Sequence, residues 1–158
     1  MTRERKQQFT LRISQANSTE LVVILYEMLL CYIDECKAAL GAESEGEFKE
    51  AVRKSRGCLN ELMASLNMDY EISKELLQLY IFCIRRLARA EVKKDGVILD
   101  EIKKVIKPLH KAYREVAVHN TQGPVMNNSQ RIYAGLTYGR NTLTENMVYQ
   151  SANRGVYA

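Results

Sequence analysis

The stretch Leu21–Ile33 reads LVVILYEMLLCYI, with Glu27 as its sole charge, and it constrains the fold more than any other part of the chain. The spacing suits a helix, but a surface helix of a globular protein needs one apolar stripe only about 100° wide. Advanced at about 100° per residue from Leu21, the residues Val22, Ile24, Leu25, Tyr26, Met28, Leu29, Tyr32, Ile33 and Cys36 fill an arc of roughly 200°. Val23 and Leu30 widen it, and a polar wedge remains around Glu20, Glu27 and Asp34. Such a helix has to be covered on more than one side. The run is far short of the roughly 20 apolar residues that cross a bilayer, and polar residues bracket it, so it is no membrane span.

Local signals place its ends. Asn17 with Glu20 is an Asn-x-x-Glu capping box, which starts a helix near Ser18; Gly41 stops it after Leu40. Ser44 with Glu47 repeats the device and opens a second helix over 45–66, with Phe48, Val52, Leu59, Leu62, Met63 and Leu66 at three- and four-residue spacings. A third helix is predicted over 70–92 and a fourth over 96–118, with Pro108 removing one backbone bond inside it and bending its axis. Connections this short make neighbouring helices antiparallel. The expected fold is all-α: an antiparallel up-down four-helix bundle over residues 1–118 with an N-terminal arm. Residues 119–158, rich in Asn, Thr, Gly and Tyr, form an extended, mostly irregular C-terminal tail with a short helix near 142–150, where Thr142 and Glu145 make a weak capping pattern.

At 158 residues, with 46% hydrophobic and 27% charged side chains, the chain has the composition of one globular domain rather than of a disordered one. Cys31, Cys36, Cys58 and Cys83 fall inside helical patterns without zinc-ligand spacing, so they are expected to be reduced and mostly buried, with no metal and no cofactor. The net charge of +4 is modest and largely interleaved, which speaks against nucleic acid as a partner. The N-terminus MTRERKQQFTLRI leads into no secretory signal, and the expected location is the cytoplasm.

Catalysis is not expected. A di-iron site in a helical bundle needs Glu-x-x-His motifs, whereas His110 and His119 follow Lys107 and Val116 at that spacing. No Gly-rich phosphate loop or nucleophile-base arrangement stands out.

The third helix repeats the apolar excess of the first. Leu76, Tyr80, Cys83 and Leu87 make one seam, and Leu77, Ile81 and Ile84 line another. Two readings account for the surplus. Either the helices are enclosed by the N-terminal segment or the tail, or the surplus is a groove for a partner's amphipathic helices; both hold together if a covering segment is displaced by the partner.

The run ANSTELVVILYEM, Ala16–Met28, resembles the start of the first helix in the FliS family of flagellar secretion chaperones, with Asn17 at the family's Ser cap, Ser18 at its Pro, and the Leu-Tyr-acidic step kept at Leu25, Tyr26 and Glu27. LYIFCIRRLARAEVKKD, Leu79–Asp95, is similar to the family's Leu-Tyr, four residues, Arg-Arg-Leu pattern, and NELMASLN, Asn60–Asn67, to the end of its second helix. The resemblance covers about residues 9–118. The chain departs from it where Tyr113 stands in place of a frequent Trp and at the unexpected Pro108. Ahead of the first helix the family's aromatic residue has no aligned Tyr, and Phe9 is the nearest substitute, with Leu11 and Ile13. The tail over 119–158 is also longer than that of a minimal family member.

The resemblance implies a non-catalytic, cytoplasmic export chaperone that grips the disordered C-terminal segment of flagellin, blocks premature polymerisation and presents it to a component of the export apparatus. It implies a monomer or weak homodimer when cargo-free. The expected flagellin contacts are Val22, Tyr26, Leu29, Ile33, Leu77, Ile81 and Ile84. Arg85 and Arg86 either pair with acidic residues of a neighbouring helix or dock a partner. In the tail, Tyr133, Leu136, Tyr138, Leu143, Met147 and Val148 carry enough apolar surface to dock on the chain's own groove. The alternative is a helical adaptor or self-assembling module whose apolar face is an oligomer interface.

Overall fold

The computed structural model describes residues 1–126, and these residues are all-helical. Five helices follow one another: α1 (Arg3–Gln15), α2 (Ser18–Gly41), α3 (Glu45–Ala64), α4 (Glu71–Lys93) and α5 (Gly96–His119). Most of the expected tail, residues 127–158, with Tyr133, Leu136, Tyr138, Leu143, Met147, Val148 and the short helix near 142–150, lies outside the described residues.

The N-terminal arm is corrected to a helix. Thr2 caps α1 by accepting a hydrogen bond from the Arg5 amide at 3.3 Å, and Glu4 sits in the first turn, where a negative charge suits the helix dipole. Its apolar residues are too few for a stripe, so its stability comes from packing: Phe9 and Ala16 are buried with Ile24 of α2, and Ile13 and Leu21 pack against them.

The start of α2 follows the capping box. The Asn17 side chain accepts from the Glu20 amide and the Glu20 carboxylate accepts from the Asn17 amide, each at 2.9 Å. Two other local signals act differently from expectation. Ser44 precedes α3 but makes no side-chain cap bond; its carbonyl takes the Phe48 amide at 3.0 Å. Gly41 is the last residue of α2, and the left-handed turn beyond it falls on Glu43 at φ 53°. Lys94 adopts the same φ of 53° after α4, and Asp95 then caps α5 by accepting from the Val97 amide at 2.8 Å.

α2 packs against α3 and α5, and α4 packs against the same two, which closes a ring around one core. The polar contacts between α2 and α5 run in opposite order along the two helices: Lys37 to Asp100 at 2.7 Å, Asp34 to Lys103 at 2.5 Å, Glu27 to His110 at 3.3 Å and Thr19 to Asn120 at 2.7 Å. These two helices are therefore antiparallel. Leu29, Ile33, Val52, Leu59, Leu62, Leu87, Leu99, Ile102 and Ile106 fill the interior. Removing this much apolar surface from water is the main source of stability, at about 25 cal/mol per Å2. Pro108 lies inside α5 and leaves the Lys104 carbonyl without its helical donor.

Candidate functional site

α2 carries the widest apolar arc, and three helices cover it. Tyr26, Leu29 and Ile33 have no exposed surface and point into the ring, while Ile24 is buried under α1. Val22 is half-buried at the edge of the core. On α4, Leu77, Ile81 and Ile84 are all half-buried. Ile84 and Glu91 occupy one row of that helix, and Glu91 accepts from Arg56 of α3 at 2.8 Å, so the row faces the α3 side. The seven expected contacts thus do not share one open surface: Val22 and the three α4 residues are reachable from outside, and Tyr26, Leu29 and Ile33 are interior.

The core centre is aromatic. The Tyr26 and Tyr80 hydroxyls hydrogen-bond to each other, and Tyr113 of α5 meets the Tyr26 ring edge-on with centroids 5.6 Å apart. Burial, the hydrogen bond from Tyr26 partly opposing it, pushes the Tyr80 phenol up to about 12. Tyr26 is raised as well, by burial first and by the Tyr80 contact second. Both therefore stay neutral and serve as donor and acceptor.

Glu27, the lone charge of the opening stretch, ties three helices together. Its Oε2 takes Arg12 of α1 at 2.5 Å and its Oε1 lies 3.3 Å from His110 Nε2 of α5. Burial raises the Glu27 carboxyl, but the hydrogen bond and charge of Arg12, with the His110 contact, hold it below its ordinary value. A cleft of about 630 Å3 opens beside this clasp, lined by Arg12, Ala16, Glu20, Val23, Ile24 and Arg114 among others. Arg12 and His110 were not among the expected site residues. An isolated charge in an apolar run was the signal, because a half-buried carboxylate has to find cations.

Arg86 resolves into a structural partner: its Nε is 2.9 Å from Glu101 Oε2 of α5, and its guanidinium lies 5.1 Å from the Phe82 ring centre. Arg85 is exposed and makes no ion pair among the described residues.

A family model described as Flagellar protein FliS matches residues 1–120, which takes in all five helices. The chain belongs to the FliS family. Flagellar secretion chaperone FliS of Bacillus subtilis (strain 168) is 25% identical over 103 residues, covering 65% of this chain and 77% of that protein. The stretches that resemble the FliS pattern turn out to meet one another in the fold. The tyrosines of the two Leu-Tyr steps, Tyr26 and Tyr80, share the core hydrogen bond, the acidic residue after the first anchors α1, and the second arginine of Arg-Arg-Leu pairs across to α5. Among the described residues no helix is long and apolar enough to cross a membrane, and no group of three or more His, Cys, Asp or Glu is placed to hold a metal ion.

Proposed function

We propose that this FliS-family chain is a cytoplasmic export chaperone that holds the disordered C-terminal segment of flagellin, keeps it from polymerising early and delivers it to the flagellar export apparatus. The observation that carries this reading is family membership over residues 1–120 together with a row of half-buried apolar residues, Leu77, Ile81 and Ile84, on a helix whose other seam already fills the core. A client that folds on binding has to lay an apolar face into such a surface to offset its ordering cost.

Under this proposal the four long helices act as an antiparallel up-down bundle of residues 1–118, Val22 and the α4 row make first contact, and Tyr26, Leu29 and Ile33 form the packed floor beneath. α1 is a removable cover over Ile24, held by Phe9, Ala16 and the Arg12–Glu27 pair. The tail residues from Tyr133 to Val148 compete for the same apolar surface. No catalysis and no cofactor is involved, and the cargo-free chain is a monomer or weak dimer.

Calorimetric titration of a flagellin C-terminal peptide into the full chain tests this. One-to-one binding with a negative heat-capacity change is the expected result. Absence of heat, with a mass that rises with protein concentration, would instead favour an oligomer interface.

A further inference from the structure

We propose that the outer face shared by α4 and α5 docks an amphipathic helix of another protein whose flanks are rich in Asp and Glu. This face is separate from the proposed client surface, which lies on the opposite flank of α4, toward α3.

The face builds outward from one ion pair. α4 and α5 pack side by side and are joined only by Lys94 and Asp95, so they run antiparallel. Arg86 meets Glu101 across their junction at 2.9 Å. One helical turn further on each helix, Phe82 comes level with Lys104 and Val105, and the next turn brings Leu79 level with Pro108. Leu79 and Phe82 are each 37% exposed and Val105 is half-buried, which makes a narrow apolar strip at helical spacing.

Cations flank the strip on both sides. Arg85 and Arg89 continue the Phe82 row along α4, and Lys104, Lys107 and Lys111 form a row at i, i+3 and i+7 on α5. All five are exposed, and none makes an ion pair among the described residues. Many cations elsewhere are matched locally, as in Lys49 with Glu45, Arg53 with Glu50 and Lys37 with Asp100, while Arg3, Arg5, Lys6, Lys93 and Arg114 also make no ion pair among the described residues. Three acids border this face: Asp100, one turn before Lys104 and already bonded to Lys37 of α2, and Glu75 and Glu115, which lie toward the far end, level with Ile72 and Val116.

Charge complementarity selects the occupant. Residues 127–158 carry three arginines and one glutamate, so the rest of this chain offers the wrong sign. A second copy paired about a two-fold axis on this face would set like charges against like. Nucleic acid would satisfy the cations, but Leu79 and Val105 offer nothing to a phosphate backbone. An acidic amphipathic helix satisfies both the strip and its flanks.

The test is fluorescence anisotropy of a labelled helical peptide with leucines at i, i+3 and i+7 between rows of glutamate, titrated with the full chain. Binding is expected to weaken at least about tenfold in Lys104→Glu/Lys107→Glu and to vanish when lysines replace the peptide's glutamates. The same variant keeps its heat of binding to the flagellin peptide, which separates this inference from the function proposed above. Phe82→Ser, at a half-exposed position, should weaken the acidic peptide with no charge changed. The inference is overturned if the acidic peptide does not bind, if neither variant alters its affinity, or if a DNA oligonucleotide binds the face more tightly than the peptide does.

Discussion

The hydroxyls of Tyr26 and Tyr80 hydrogen-bond to each other in the centre of the core, linking α2 to α4, two helices that otherwise pack against α3 and α5. Neither ring has a route to water: their exposures are 0% and 1%. Each hydroxyl therefore depends on the other, and the pair fixes how α4 is rotated and set along its axis relative to α2.

Removing one member should cost more than removing both. Tyr26→Phe or Tyr80→Phe strands a buried hydroxyl, at about 1–3 kcal/mol, whereas the double variant removes the bond with no orphan and should recover most of that loss. Urea unfolding of the four species measures the coupling. If the two single losses simply add in the double variant, the hydroxyls are not each other's essential partners.

The Glu27 clasp predicts an acid-sensitive α1. Because the folded carboxyl sits below its ordinary value of 4.5, the stabilisation is present above that pH and is lost as pH falls through the lower folded value. Glu27→Gln imitates the acid form at neutral pH. Amide exchange, corrected for intrinsic rates, should show α1 losing protection in this variant while α3 keeps its own. Unchanged α1 protection would mean that Phe9 and Ala16 alone hold the helix.

The four thiols should separate by burial. Burial pushes Cys83 and Cys58 up to about 12 and Cys36 up to about 11, the last despite a hydrogen-bond contact to Ser55, while Cys31 is half-buried and raised less far. Native iodoacetamide treatment followed by peptide mass mapping should find slow adduct formation at Cys31 first. The other three should react only in denaturant. Cys58 or Cys83 labelling at the Cys31 rate would show that the core opens locally.

What the sequence makes legible follows from how local each determinant is. The start of α2 is encoded in Asn17 and Glu20, three residues apart, and the side chains meet as their types predict. The few apolar residues of the N-terminal arm, Phe9, Leu11 and Ile13, do not by themselves mark a helix; α1 forms through packing on Ile24, contact information the segment does not carry. The wide arc of α2 announced enclosure but not by what. Tyr26, Leu29 and Ile33, expected as client contacts, lie inside the ring, and α1 covers Ile24 on another side of α2. Half-buried Leu77, Ile81 and Ile84 were legible as a second row because α4 has fewer helices around it. The Arg12–Glu27–His110 clasp joins residues far apart in sequence, so only the lone charge hinted at it.

Loop geometry gives a stability prediction of opposite sign to most. Glu43 holds φ at 53°, a region that costs an ordinary residue about 1–2 kcal/mol and glycine almost nothing. Its side chain is exposed and makes no ion pair among the described residues, so Glu43→Gly should raise stability by up to about 1 kcal/mol. The extra backbone freedom of glycine in the unfolded chain sets that ceiling. A lower midpoint in thermal melts would show that this turn is not strained.

The α4 row separates client binding from folding. Ile81 is half-buried and absent from the residues packed against the core, so Ile81→Asp should leave the fold intact at a cost of about 1 kcal/mol or less. If the flagellin segment lays its apolar face along Leu77, Ile81 and Ile84, the same change sets a charge under that face and should weaken the peptide by at least about tenfold. Cys83→Ser, two residues on but fully buried, is the control with the opposite profile. It should lower the unfolding midpoint, through an added buried hydroxyl, while the fraction that remains folded binds the peptide normally. Ile81→Asp binding as well as the unaltered chain would remove the α4 row from the client surface, even with the family assignment standing.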